Sequence, residues 1–290
     1  MHERGGMIHR SWPRIVVFLC AVVLGMDTGR AVSLEYVLRF ADTSPTQDSS
    51  APQQATLADL PVSAPEAPVA SANDWLKRNG WKQVWPLHLL SAGTPLFFAG
   101  PPTQRYLRLA ADDAYYIWTR QLDIDPHQHP VLQLTWGIER FPQGAALDVS
   151  DRTDRPLVVL VSFGPKVPSP GLMPSVPRGL AFFWGETETV GALYTCITPQ
   201  NGPADARLQC RYPHVKYIAV RRGAAGSVHT DQVNLLEHFQ QQFPDYWQQH
   251  QRAPSVVAVS FEVRSDRTHT VSSARLYSIG FRAQPATAAQ

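Results

Sequence analysis

The sequence predicts an all-β fold, a β-sandwich of jelly-roll type carrying one amphipathic helix. Three observations predict it. Short segments of alternating or wholly apolar residues recur along the chain, separated by turn signals. Only one stretch has the apolar spacing of a substantial helix. Prolines, at 25, outnumber the 18 glycines, which speaks for many turns and against a mostly helical chain. With 44% hydrophobic and 17% charged residues in 290, the composition excludes a disordered tail, a collagen-like fibre and a multi-span membrane protein. The net charge of +2 gives no electrostatic basis for a nucleic-acid partner.

The N-terminus reads as an address. Arg10 and Arg14 precede an apolar run from Ile15 to Met26, and small residues follow: Ala31 and Ser33 stand at −3 and −1 of a cut after Ser33, and Gly29 and Ala31 offer a cut after Ala31 instead. The apolar run is h-region length and falls short of the ~20 residues of a spanning helix. Residues 1–33 are therefore expected to be a Sec-type signal peptide, and the chain to be periplasmic or secreted. Contact with the membrane is expected only through this segment. Residues 34–73 read as a linker rich in Pro, Ala and Ser, with five prolines between Thr43 and Asn73. Within it, Leu34 to Phe40 has the composition of one short strand.

The folded domain is expected over 74–283, followed by a disordered tail at 284–290. Asp74 to Gly80 reads as a helical turn closed by Gly80 in a left-handed cap. Tyr106 to Ala110 alternates, and so does Leu132 to Ile138, which sets Leu132, Leu134, Trp136 and Ile138 on one face. Leu157 to Phe163 is almost wholly apolar, as a central strand would be. Further strands are expected at Leu180–Trp184, Leu193–Ile197, Val215–Val220, Val256–Val263 and Arg275–Phe281. The helix is expected over Asp231–Phe243, where Leu235, Phe239 and Phe243 recur every fourth residue and Pro244 stops it.

Of the three cysteines, Cys20 leaves with the signal, and Cys196 and Cys210 remain. An even count in an oxidising compartment points to one disulfide. Its loop of about 15 residues would stabilise the chain by ~3 kcal/mol in the chain-entropy model.

Catalytic signatures are few. The chain has no G-x-S-x-G elbow, no H-E-x-x-H, no phosphate-binding loop and no dinucleotide fingerprint. Asp151 with Asp154, and Glu186 with Glu188, are the carboxylate pairs a hydrolase could use, and solvated turn charges are the plainer reading of both. His127-Gln128-His129 has metal-like spacing but lies between Pro126 and Pro130, as an exposed polar turn would. No metal or cofactor is expected. Trp136 and Trp184 share faces with apolar neighbours and belong to the core. Tyr116, Trp118 and Arg120 alternate on one strand face, and this trio is the expected exposed platform for a ligand. Stacking of sugar rings on such aromatics makes a glycan or other envelope polymer the expected partner of a non-catalytic binding domain. A periplasmic assembly factor and a carboxylate-dependent hydrolase are the alternatives.

The order of these features resembles a bacterial family catalogued as domain-of-unknown-function family 3047. The resemblance rests on Gly80-Trp81, on Tyr106-Leu-Arg-Leu109, and on the strand from Pro130 to Ile138 that runs into Phe141-Pro-Gln-Gly-Ala145. It continues through Asp151 and Asp154, the strand ending at Phe163, Phe183-Trp184, Ile218 to Gly223, the helix ending at Phe243 and the last two strands. It spans about Asp74 to Phe281. The resemblance implies an exported β-sandwich similar to galactose-binding-like domains, and it brings no established activity. Members tend to carry a cluster of Asp and Asn between the last two strands. Here that stretch runs from Arg264 to Thr270, and only Asp266 keeps a carboxylate.

Overall fold

The computed structural model describes residues 36–39, 70–84, 96–101, 104–149, 152–169, 174–194 and 212–284. Residues 1–35, which include the expected signal peptide, all of 40–69, Asp151, Cys196, Cys210 and the tail from 285 lie outside the described residues. Strands and helices are numbered in chain order.

Two sheets form an all-β sandwich, as the sequence predicts. Sheet I runs β12 (Val228–Asn234), β7 (Val131–Arg140), β14 (Val271–Arg282), β5 (Tyr106–Asp112), β4 (Phe97–Ala99) and β2 (Ala70–Ser71), with β1 (Tyr36–Arg39) also on β14. Sheet II runs β10 (Leu193–Tyr194), β11 (Val215–Arg222), β9 (Val176–Gly185), β8 (Arg155–Val167), β13 (Val256–Arg264), β6 (Tyr115–Ile124) and β3 (Trp81–Val84). Among the described pairings only β9 with β11 is parallel. The alternating rows meet between the sheets. Leu132, Leu134, Trp136 and Ile138 of β7 face Val159, Val161 and Phe163 of β8 and Val259, Phe261 and Val263 of β13 in one buried cluster. Burial of such side chains is worth about 1.5–3 kcal/mol each against exposure, so this interlayer dominates the stability. A second, smaller cluster of Val158, Ala181, Phe183 and Ala219 lies on the opposite face of sheet II, with Leu147 packed on it.

The linker expected over 34–73 is corrected at both ends. Tyr36 to Arg39 pairs with Phe281 to Ser278, extending the sheet where β5 ends, and Leu38 is buried. Ala70-Ser71 pairs with β4, and the Ala72 N–H donates to the Leu96 carbonyl at 2.8 Å. The strand-like composition of Leu34 to Phe40 does mark a strand at Tyr36–Arg39, while the prolines fall between the two strands. Helix α1 (Asn73–Arg78) follows, seating Leu76 in the core, and Gly80 leaves it at φ +79°, which a glycine adopts without strain.

The expected helix over Asp231–Phe243 is shorter. Residues 231–234 complete β12, whose Asp231 and Val233 point to the sheet interface while Thr230 and Gln232 meet Thr135 and Gln133 outside. Asn234 then caps α2 (Leu235–Gln242), its side-chain oxygen accepting from the Leu236 and Glu237 N–H groups. Pro244 stops α2 and opens α3 (Pro244–His250), because a proline at the first helical position forfeits no hydrogen bond. Phe239 packs on Phe163 at 4.9 Å and on Phe243 at 4.9 Å, so the two helices close one end of the sandwich.

Candidate functional site

The expected platform on β6 is turned inward. Tyr116 and Trp118 are each 2% exposed, and Arg120 continues the same row, half-buried beside Trp81. The Tyr116 hydroxyl donates to the Ala110 carbonyl at 3.2 Å, and Trp118 lies opposite Phe261 of β13. Alternation fixes which side chains share a face but not which face is wet. Here the apolar row of β13 claims the aromatic row of β6, and Tyr115, Ile117 and Thr119 take the outer side. The three residues therefore form no open ligand surface. Trp136 and Trp184 lie in the core as read, their indole N–H groups donating to Asp231 and to the Gly223 carbonyl.

Asp154 is a structural carboxylate. It is wholly buried and accepts from the Arg267 and Thr268 N–H groups and the Thr268 hydroxyl, at 2.7 to 3.1 Å, which fixes the turn between β13 and β14. Asp266 of the same turn is paired with Arg264 at 2.7 Å. Glu188 accepts from the Leu147 and Thr187 N–H groups. Asp154, Glu186 and Glu188 border one crevice, whose volume of ≈ 10 Å³ suits a single water. No group of three metal-ligating side chains is present among the described residues. His127 belongs to the turn after β6: its Nε2 accepts from the Ala253 N–H at 3.2 Å, and its ring stacks on Trp247.

The outer face of sheet II holds a buried ionic cluster. Glu262 and Arg155 pair at 2.7 Å, both side chains 6% exposed. The Arg155 guanidinium lies over the Tyr217 ring at 4.4 Å, and that of Arg264 over Tyr115 at 4.8 Å. Burial, with the Glu262 charge beside it, pushes the Tyr217 hydroxyl up to about 12. Burial opposes the charge on Arg155, but Glu262 and Tyr217 outweigh it and hold the guanidinium above its ordinary value. Such a cluster fixes the strands it joins and leaves no open space for a ligand.

The open space lies at the helical end. The register brings Val256 opposite both Ile124 and Phe163, so the turn after β6 and the approach to β13 lie side by side. Between them and α3 opens a cavity of ≈ 310 Å³ lined by Asp125, Tyr246, His250, Arg252, Ala253, Pro254 and Ser255. Each polar group has a local reason for its place. Asp125 receives the His127 N–H on one oxygen at 2.9 Å and the Arg252 guanidinium on the other at 2.7 Å. Tyr246 and His250 stand one helical turn apart, their rings 4.2 Å from each other. Gln251, at φ +50°, ends α3 in the left-handed region and turns Arg252 back toward Asp125. The Arg178 guanidinium covers the Tyr246 ring at 4.4 Å.

Of these residues, Asp125 stands beside the His127-Gln128-His129 turn that the sequence marks. Tyr246, His250 and Arg252 belong to no sequence motif. The available signal was an aromatic followed four residues later by histidine on a short helix opened by proline.

Compared with protein-family models, residues 100–279 match a family described as "Protein of unknown function (DUF3047)". The matched stretch contains every lining residue of the cavity. No curated protein matches the chain.

Proposed function

The chain belongs to the DUF3047 family, and from that premise we propose that it is an exported, non-catalytic binding domain that holds a saccharide unit of an envelope polymer in the cavity between α3 and the turn after β6. The cavity carries this reading. Its ≈ 310 Å³ stands at the lower end of small-molecule sites, which suits one or two sugar rings rather than a folded partner. A sugar hydroxyl both donates and accepts, so adjacent hydroxyls need an acceptor beside a donor. The Asp125–Arg252 pair offers that, already oriented at 2.7 Å. His250, Tyr246 and Ser255 line the same cavity beside the apolar Ala253 and Pro254.

Export follows from the basic and apolar N-terminal segment, and with it a disulfide between Cys196 and Cys210. The carboxylate pairs support a hydrolase poorly, since Asp154 and Glu188 spend their oxygens on backbone N–H groups.

A glycan array probed with the purified protein tests the reading. Binding to at least one saccharide is expected, and Arg252→Ala should weaken it about tenfold, the loss of one charge-assisted hydrogen-bond donor. The Arg252 side chain is 62% exposed, so the variant should keep its melting temperature. No retained saccharide, or retention indifferent to Arg252, would remove this site.

A further inference from the structure

Arg178 is held differently from the arginines that carry a carboxylate partner. Arg108, Arg155, Arg221, Arg264 and Arg275 each hold a carboxylate at 3.0 Å or less. Arg178 is half-buried at the mouth of the sandwich, opposite Phe163, and has no carboxylate partner among the described residues. Its plane is held instead by the Tyr246 ring, 4.4 Å away. A guanidinium stacked on an aromatic ring keeps its edge N–H groups free and aligned, as a fork for an incoming carboxylate. Holding the fork in place beforehand lowers the ordering cost of that contact.

Among the described residues, the groups around Tyr246 leave Arg178 without a counter-ion. His250 packs on the Tyr246 ring at 4.2 Å, and Arg252 lines the same cavity. Asp125 is already engaged by Arg252, and Asp245 and Asp123 are exposed to water.

We infer that the polymer read at this end is acidic: a glycan whose carboxylate is received by Arg178 beside Tyr246 while its hydroxyls meet Asp125 and Arg252. The inference rests on the saccharide reading above and adds the chemical class. Arg178 acts as a specificity residue, since a neutral sugar would leave its fork unfilled.

Affinity electrophoresis of the purified protein through polygalacturonate and through alginate, each beside its ester, separates the possibilities. The ester keeps the sugar backbone and removes the charge. The acid form should retain the protein about tenfold more strongly at low salt, as one charge-assisted contact implies, and added NaCl should erase the difference. Arg178→Gln should abolish the preference and spare residual binding to the ester. Arg178→Lys, which keeps the charge and loses the planar fork, should lower retention by the acid form a few-fold and serves if Arg178→Gln fails to fold. Equal retention by acid and ester would overturn the acidic inference and leave the saccharide reading standing. Retention by neither would remove both. Equal retention by poly-glutamate would show that a carboxylate alone is read, and would overturn the saccharide reading.

Discussion

Trp118 and Arg252 are opposite cases of one question, whether a polar or aromatic side chain faces water or core. Trp118 is 2% exposed against the β13 row, so Trp118→Ala should destabilise the fold by about 3–5 kcal/mol, as other buried Trp truncations do. Urea unfolding measures this, and saccharide retention below the melting range should be unchanged. Arg252 should behave in reverse, losing retention and keeping stability. Tyr217 offers a test by pH. Its hydroxyl is raised to about 12 by burial and the Glu262 charge, above the ordinary value of 10.0. The folded state therefore keeps a proton that the unfolded chain gives up first. The stabilisation is complete below about pH 10 and is lost as the pH rises through about 12. Tyr217→Phe, which has no such proton, should flatten the fall in stability over that window. An identical alkaline profile for both proteins would contradict the assignment.

At the scale of elements, most of the sandwich was legible because one face of each strand is dry. Alternation in Leu132–Ile138 and the apolar run in Leu157–Phe163 place β7 and β8 directly, and Gly80 closes α1 as its sequence suggests. Three things were hidden, each for a physical reason. Edge strand β12 is polar on its outer side, so Val228–Asn234 carries too little apolar pattern to announce itself. The face of β6 is decided by its partner across the sheet, which no local period records. The cavity draws on the turn after β6, on α3 and on the approach to β13, segments about 120 residues apart in the chain, so no motif could gather them. Strand β1 was seen as a strand and misplaced in a linker. Its four residue pairs with β14 and the buried Leu38 make a measurable contribution. Deleting residues 34–40 should cost about 1–3 kcal/mol in urea unfolding, the burial of one aliphatic side chain plus edge pairing. An unchanged midpoint would return β1 to the linker.

For the whole molecule, the two ends of the sandwich do different work. At one end Asp154 and the Arg155–Glu262 pair tie loops and strands together. At the other end α2 and α3 close the core with Phe239 and leave Arg178, His250 and Arg252 facing outward around Tyr246. Rigid strands behind such a site hold it at little ordering cost, which is what a binding domain needs. The most direct measurement is a titration of the isotope-labelled protein with the saccharide it retains most strongly on the array, followed by amide NMR shifts. The account predicts that shifts cluster at Asp125, Tyr246, His250, Arg252 and Ser255 and at neighbouring Arg178, with β6 residues from Tyr115 to Thr119 unmoved. Shifts centred on sheet II's outer face or on β6, with the cavity silent, would contradict it.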